Sequence, residues 1–118
     1  QDFSKKERMV MRFFDRQCKE VFGEIVEELY PVFQKYGVAV PSLRIRSMDT
    51  RWGSCLPGKG VITLNKRLLE APRNCIEYVV MHELCHFIHP NHSKHFYAFL
   101  SMLMERKKVL DANDTYYL

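Results

Sequence analysis

His82 and His86 frame the run His82-Glu83-Leu84-Cys85-His86, and the three remaining histidines follow at His89, His92 and His95. Scattered core histidines would not bunch this way. Read as a helix, the run sets His82 and His86 one turn apart on one face, so their imidazoles can converge on a single zinc ion. Glu83 is rotated about 100° from His82, close enough to serve a water at the metal without being a ligand. The chemistry such a set supports is hydrolysis by an activated water. The bland alternative is a packed helix whose histidines hydrogen-bond to neighbours.

The setting favours the metal. Arg73 to Ile88 reads RNCIEYVVMHELCHFI, apolar on nearly every side around Ile76, Tyr78, Val79, Val80, Met81, Leu84, Phe87 and Ile88. A helix apolar all round is normally buried. Two histidines and a carboxylate placed there carry a desolvation cost that a divalent cation relieves in one step.

A zinc site of this kind needs a third protein ligand and an open position for water. His89 continues the stripe but sits a further turn along, and Pro90 disfavours the helical region at His89 and is expected to end the helix there. His92 follows the Pro90-Asn91 turn, where the chain can fold back toward the metal. His95 falls in the first turn of the next helix. Glu105 would mimic zinc enzymes whose third ligand is a glutamate on the following helix. Ligand type and spacing rank His92 first, with Glu105 and His95 next.

The elements that must position these groups are legible in outline. Phe3 to Tyr36 carries Val10, Phe14, Val21, Ile25, Leu29, Val32 and Phe33 at helical periodicity, with Pro31 as a kink and Gly37 as a stop. Leu43-Arg44-Ile45-Arg46 alternates as a half-exposed strand does, giving a strand over Leu43–Met48. Arg51–Cys55 and Val61–Asn65 flank Leu56-Pro57-Gly58-Lys59-Gly60 and read as a hairpin. Ser93 is placed to cap a last helix that packs Phe96, Phe99, Leu100 and Leu103 on the zinc helix. The stretch Asp111 to Leu118 reads as a frayed tail, or as a segment that lies in the cleft and limits access. The sequence shows no internal repeat and no sign of a second domain.

Length and charge narrow the function classes. A chain of 118 residues buries about two-thirds of its unfolded surface, enough for one core. No apolar run approaches the ~20 residues of a membrane span, and no signal-peptide pattern opens the chain. With no initiator methionine before Gln1-Asp2, the sequence reads as a trimmed form or a piece of a longer protein. Cys18, Cys55, Cys75 and Cys85 lack any CxxC or secreted-scaffold spacing, which points to reduced thiols in a cytoplasmic protein. Cys85 is not expected to bind metal. The net charge of +4 gathers around Arg44, Arg46, Arg51, Lys59, Lys66, Arg67 and Arg73, and again at Arg106-Lys107-Lys108. That excess permits nucleic-acid binding but does not favour it, because no dedicated module accompanies it.

Four segments resemble one known family, the YgjP-like metallopeptidases, related to the WLM and SprT-like zinc metalloproteases and the small gluzincin-type proteases. The matching residues are Arg51-Trp52-Gly53-Ser54-Cys55, Gly60-Val61-Ile62-Thr63-Leu64-Asn65, Tyr78 through His86, and Asn91-His92-Ser93 with Phe96. They follow the patterns R-W-G-S-C, G-x-I-x-L-N, Y-V-V-x-H-E-L-x-H and N-H-S-x-x-F over roughly Leu43 to Leu103. Tyr97 departs from the tryptophan that many relatives carry. The resemblance implies a Zn2+ site at His82, His86 and His92 with Glu83 as catalytic carboxylate, acting on a protein or peptide substrate. It also implies an α+β, zincin-like domain comprising a long N-terminal helix, about three strands, the H-E-x-x-H helix and a C-terminal helix. Rival classes are a zinc hydrolase of phosphate or nucleotide substrates and a catalytically silent zinc-binding domain. Tyr97, His89 and His95 are candidate oxyanion donors. Trp52 reads first as a core anchor and second as a wall of the substrate cleft.

Overall fold

The computed structural model describes residues 4–117, with side chains through 111. Three helices and a three-stranded sheet form a mixed α+β fold: α1 (Lys5–Gln34), β1 (Ser42–Arg46), β2 (Gly53–Leu56), β3 (Val61–Asn65), α2 (Arg73–Cys85) and α3 (Lys94–Tyr117). Helix α1 opens on a capping box, in which the Glu7 N–H donates to Ser4 Oγ and the Ser4 N–H to Glu7 Oε1, each at 3.2 Å. The helix runs through Pro31 without a break. It closes where Gly37, at φ 85°, turns the chain, with Val38 N–H donating to Phe33 O and Gly37 N–H to Gln34 O.

Only the second half of α1 is built into the core. Cys18, Phe22, Ile25, Val26, Leu29 and Phe33 are buried at helical spacing. Val10, assigned to the same stripe from the sequence, is 66% exposed together with Met9, Met11 and Phe13. The other elements reach only the later turns, so periodicity alone overstated the buried length.

The sheet order is β1-β3-β2, with β1 parallel and β2 antiparallel to β3. β2 and β3 form the expected hairpin, whose turn runs through Pro57–Lys59 and ends on Gly60 at φ 65°. Central β3 is buried at Val61, Ile62, Leu64 and Asn65, while edge β1 alternates and leaves Arg44 and Arg46 in solvent. The expected strands Leu43–Met48 and Arg51–Cys55 are both shortened toward the 47–52 segment. The cause is Asn65, whose Nδ2 donates to Met48 O at 2.9 Å and Arg51 O at 2.8 Å, folding that segment into a loop. The Asn65 N–H also donates to Trp52 O at 3.0 Å.

Helix α2 packs against α1, β2 and α3. It is not apolar-buried all round as the sequence suggested. Ile76, Val80, Met81, Leu84 and Cys85 face the core, whereas Tyr78, Val79 and His82 remain partly open. The helix ends at Cys85, earlier than the expected stop at His89. Its last turn tightens, with His86, Phe87 and Ile88 N–H groups donating to the carbonyls three residues back. Ser93 caps α3 as expected, its Oγ accepting from Phe96 N–H at 3.2 Å. Helix α3 then continues to Tyr117, so the expected frayed tail is helical. No glycine or proline interrupts it, and Lys107 bonds Asp111 one turn on at 3.0 Å. Leu118 and the side chains after 111, on which a tail seated in the cleft would depend, lie outside the described residues.

Lys107 ties the three helices together. Its ammonium, 11% exposed, lies 3.4 Å from Glu77 Oε2 on α2 and 3.7 Å from Glu28 Oε1 on α1. Arg73 closes the cluster at 2.8 Å from Glu28 and 3.3 Å from Glu77. Lys107→Ala should lower the free energy of urea unfolding by about 2 kcal/mol, less than the 3–5 of a fully buried pair because Arg73 still faces Glu77. No helix among the described residues is long and apolar enough to cross a membrane.

Candidate active site

Helix α2 supplies two imidazoles and the turn after it supplies a third. His82, His86 and His92 each present one ring nitrogen, and these three atoms all lie within 4.8 Å of one another. His82 Nε2 and His92 Nε2 are 3.2 Å apart. Two nitrogens bound at ~2.0–2.1 Å to a tetrahedral zinc would lie about 3.3–3.4 Å apart, so the spacing suits that metal. His86 is oriented by the turn itself, its Nδ1 lying 3.0 Å from Pro90 O and 3.3 Å from His89 O. Carbonyl oxygens only accept, so Nδ1 carries the hydrogen and Nε2 keeps a free lone pair. Burial, then the neighbouring imidazoles, lowers the pKa of His82; burial chiefly lowers that of His86. Both effects favour the neutral, ligating form.

Phe96 is the floor beneath all three rings. Fully buried, it stacks on His86 with centroids 4.6 Å apart and meets the His82 and His92 rings at 5.0 and 5.1 Å. Glu105 and His95, the rival third ligands, do not belong to this group. His89 instead stacks near His95 and meets Phe99.

Glu83 stands beside the group, 6% exposed. Burial pushes its carboxyl up to about 7, while the charge of Arg51 pulls it back toward the ionised form. The residue that brings the sheet against this carboxylate is Gly53. A Cβ there would stand 3.1 Å from Val79 Cγ1 and 3.2 Å from both Glu83 Cγ and Oε2. No side chain fits, so the glycine lets the β2 backbone roof the carboxylate. The R-W-G-S-C match singled out Gly53, but its role appears only once β2 and α2 are in contact.

The group opens into a cleft of about 520 Å³ between α2 and β2, reached by Arg51, Trp52, Cys55 and Tyr78. β2 is an edge strand, so one side of the cleft is a row of backbone groups that β3 does not use. Trp52 is 51% exposed at this mouth, with the Arg67 guanidinium 5.9 Å from its ring. It is a wall of the cleft and not the core anchor that its size suggested. Tyr97, His89 and His95 do not line the cleft; Tyr97 stacks outside against His92 at 6.0 Å. All four cysteines are free. Burial, with the charge of Glu83, pushes the Cys55 thiol up to about 12, and burial alone does the same to Cys85. Neither is a thiolate available for attack or for metal.

The arrangement has known counterparts. Among curated proteins none matches the chain. The crystal structure of the metallopeptidase zymogen of Pyrococcus abyssi abylysin superposes with a TM-score of 0.58 at 23% identity, over 67% of this chain and 75% of that one. The metallopeptidase zymogen of Methanocaldococcus jannaschii jannalysin superposes with a TM-score of 0.52 at 20% identity, over 73% and 95%. At such identities the likeness speaks for the fold. The family is settled by a sequence match over residues 1–113, which includes every histidine of the group and Glu83: the chain belongs to the YgjP-like, metallopeptidase domain family.

Proposed function

We propose that this chain is a zinc-dependent peptidase in which His82, His86 and His92 hold the metal and Glu83 is the general base. The observation that carries the reading is the convergence of three imidazole nitrogens within 4.8 Å beside a buried carboxylate. Membership of a metallopeptidase family supports the same conclusion. Zinc in such a site supplies Lewis acidity toward the substrate carbonyl and brings the pKa of water toward ~7.

The residues of the chain do the rest. A Glu83 carboxylate oxygen accepts the proton of the attacking water and later returns it to the leaving amine. A buried base with a pKa near neutrality is matched to both transfers. The free edge of β2 pairs with an extended peptide, holding the scissile bond above the histidine group. Arg51 and Tyr78, which line the cleft, replace Tyr97, His89 and His95 as the donors placed to face a developing oxyanion. Nucleic acid remains the lesser reading, since Lys66, Arg73 and Lys107 are spent on Asp15, Glu28 and Glu77.

Gly53→Val tests the roof over the base. The added side chain must displace Glu83 or lift β2, and a displacement of this size costs catalysis on the order of 10²-fold. Zinc content and the thermal midpoint should change little by comparison. Wild-type turnover in this variant would remove the roof from the account. The reading as a whole is tested by zinc analysis of the purified protein together with cleavage of a peptide library. Turnover of nucleotides or phosphate esters with intact peptides would assign the site to another class of hydrolase.

A further inference from the structure

Beside the metal cleft lies a second cavity of about 580 Å³, walled by Trp52, Leu68, Cys75, Tyr78, Val79 and Met104. Trp52, Tyr78 and Val79 also line the cleft that contains His82 and Glu83. The two spaces therefore share one wall, with the reacting groups on one side and an apolar recess on the other. Trp52 and Tyr78 leave 51% and 44% of their surface in water at this wall. Two such rings at the mouth of a cleft are surface that an apolar group would cover. The recess is held open by its frame. Trp52 is fixed through its carbonyl by the Asn65 N–H, and its ring by the Arg67 guanidinium. Leu68 is buried, and Met104 reaches in from α3. The volume lies within the range of small-molecule pockets and exceeds what one aromatic side chain needs.

Strand direction says which side chain reaches it. β2 runs from Gly53 to Leu56 and is antiparallel to its one neighbour. A peptide added antiparallel to the free edge enters at Leu56 and leaves past Trp52. Glu83 touches this path at Gly53. The bond that Glu83 serves therefore lies before the Trp52 end, and the residue after that bond meets the recess.

We propose that this cavity is the specificity pocket for a large apolar side chain, aromatic or long aliphatic, immediately C-terminal to the scissile bond. The proposal rests on the peptidase reading above, and its test separates the two. On the zinc-loaded protein, cleavage of a peptide library should favour Phe, Leu, Met and Trp over Gly and Asp at that position by about 10-fold or more, within reach of an apolar pocket. Cys75→Trp, an exposed site on the first turn of α2, should fill the recess and abolish the preference, while peptides with Ala or Gly there are cut at the parent rate.

A readout that needs no turnover uses the Cys75 thiol. Cys75 is exposed, whereas Cys18 and Cys85 are buried and Cys55 is half-buried, so N-ethylmaleimide should label Cys75 first. With zinc-loaded Glu83→Gln protein, a phenylalanine-containing peptide should slow that labelling several-fold and its glycine counterpart should not. Protection without cleavage by the parent would sink the peptidase reading and keep the pocket. Cleavage with no apolar preference at that position, a preference only on the N-terminal side, or labelling indifferent to the phenylalanine peptide would overturn the pocket.

Discussion

Glu83→Gln is expected to lower peptide hydrolysis by about 10²–10⁴-fold, the contribution of a positioned general base. The amide matches the carboxylate in size and fits the same space under Gly53, where a Cβ would already stand 3.2 Å from Glu83 Oε2. It removes the proton acceptor and nothing else of substance. Zinc content should therefore match the parent, because His82, His86 and His92 are untouched. The comparison requires a peptide that the parent cleaves, with zinc measured on the same samples. Full turnover in the variant would remove Glu83 from the mechanism. Loss of zinc as complete as in His86→Ala would make Glu83 a ligand.

His92→Ala should have the opposite profile, losing metal and activity together. His92 is the one member of the group outside α2, and its ring nitrogen closes on His82 Nε2 at 3.2 Å. Two helical histidines cannot complete the three protein ligands of an open zinc site. Zinc affinity should fall by more than about 100-fold, beyond the 10–100-fold that outer-shell partners command. His95→Ala and Glu105→Ala are the controls, and both should retain zinc after dialysis. The fold should survive in His92→Ala, because that residue is exposed and the packing beneath it belongs to Phe96. Circular dichroism on the same material checks this. Retained zinc in His92→Ala with lost zinc in Glu105→Ala would relocate the third ligand to α3.

The histidine group was legible in the sequence because helix geometry fixes the spacing of His82, Glu83 and His86, and Pro90-Asn91 announces the turn that returns His92. The hairpin was legible because Pro57, Gly58 and Gly60 mark its turn, and β1 because Arg44 and Arg46 alternate with Leu43 and Ile45. What stayed hidden depends on contacts between distant segments. Nothing local in Ser42–Arg46 says that it pairs parallel with Val61–Asn65, which is what leaves β2 at the edge of the sheet. Gly53 reads as a flexible residue until Glu83 and Val79 are seen within reach of its missing Cβ. Trp52 was assigned to the core by size, but the Asn65 bonds to the 47–52 loop and to Trp52 itself hold it at the cleft mouth. The apolar reading of α2 missed its open face for the same reason, since Tyr78, Val79 and His82 look into a cleft that only the sheet creates.

The central claim is that three histidines bind the metal while Glu83 stays free to move a proton. A crystal structure of the zinc-loaded protein, with diffraction recorded on both sides of the zinc absorption edge, tests it directly. The account predicts one anomalous peak with ring nitrogens of His82, His86 and His92 at ~2.0–2.1 Å. The Glu83 carboxylate should lie outside bonding distance, next to Gly53. A peak elsewhere, a His92 ring turned away with Glu105 in its place, or Glu83 bound to the metal would contradict it.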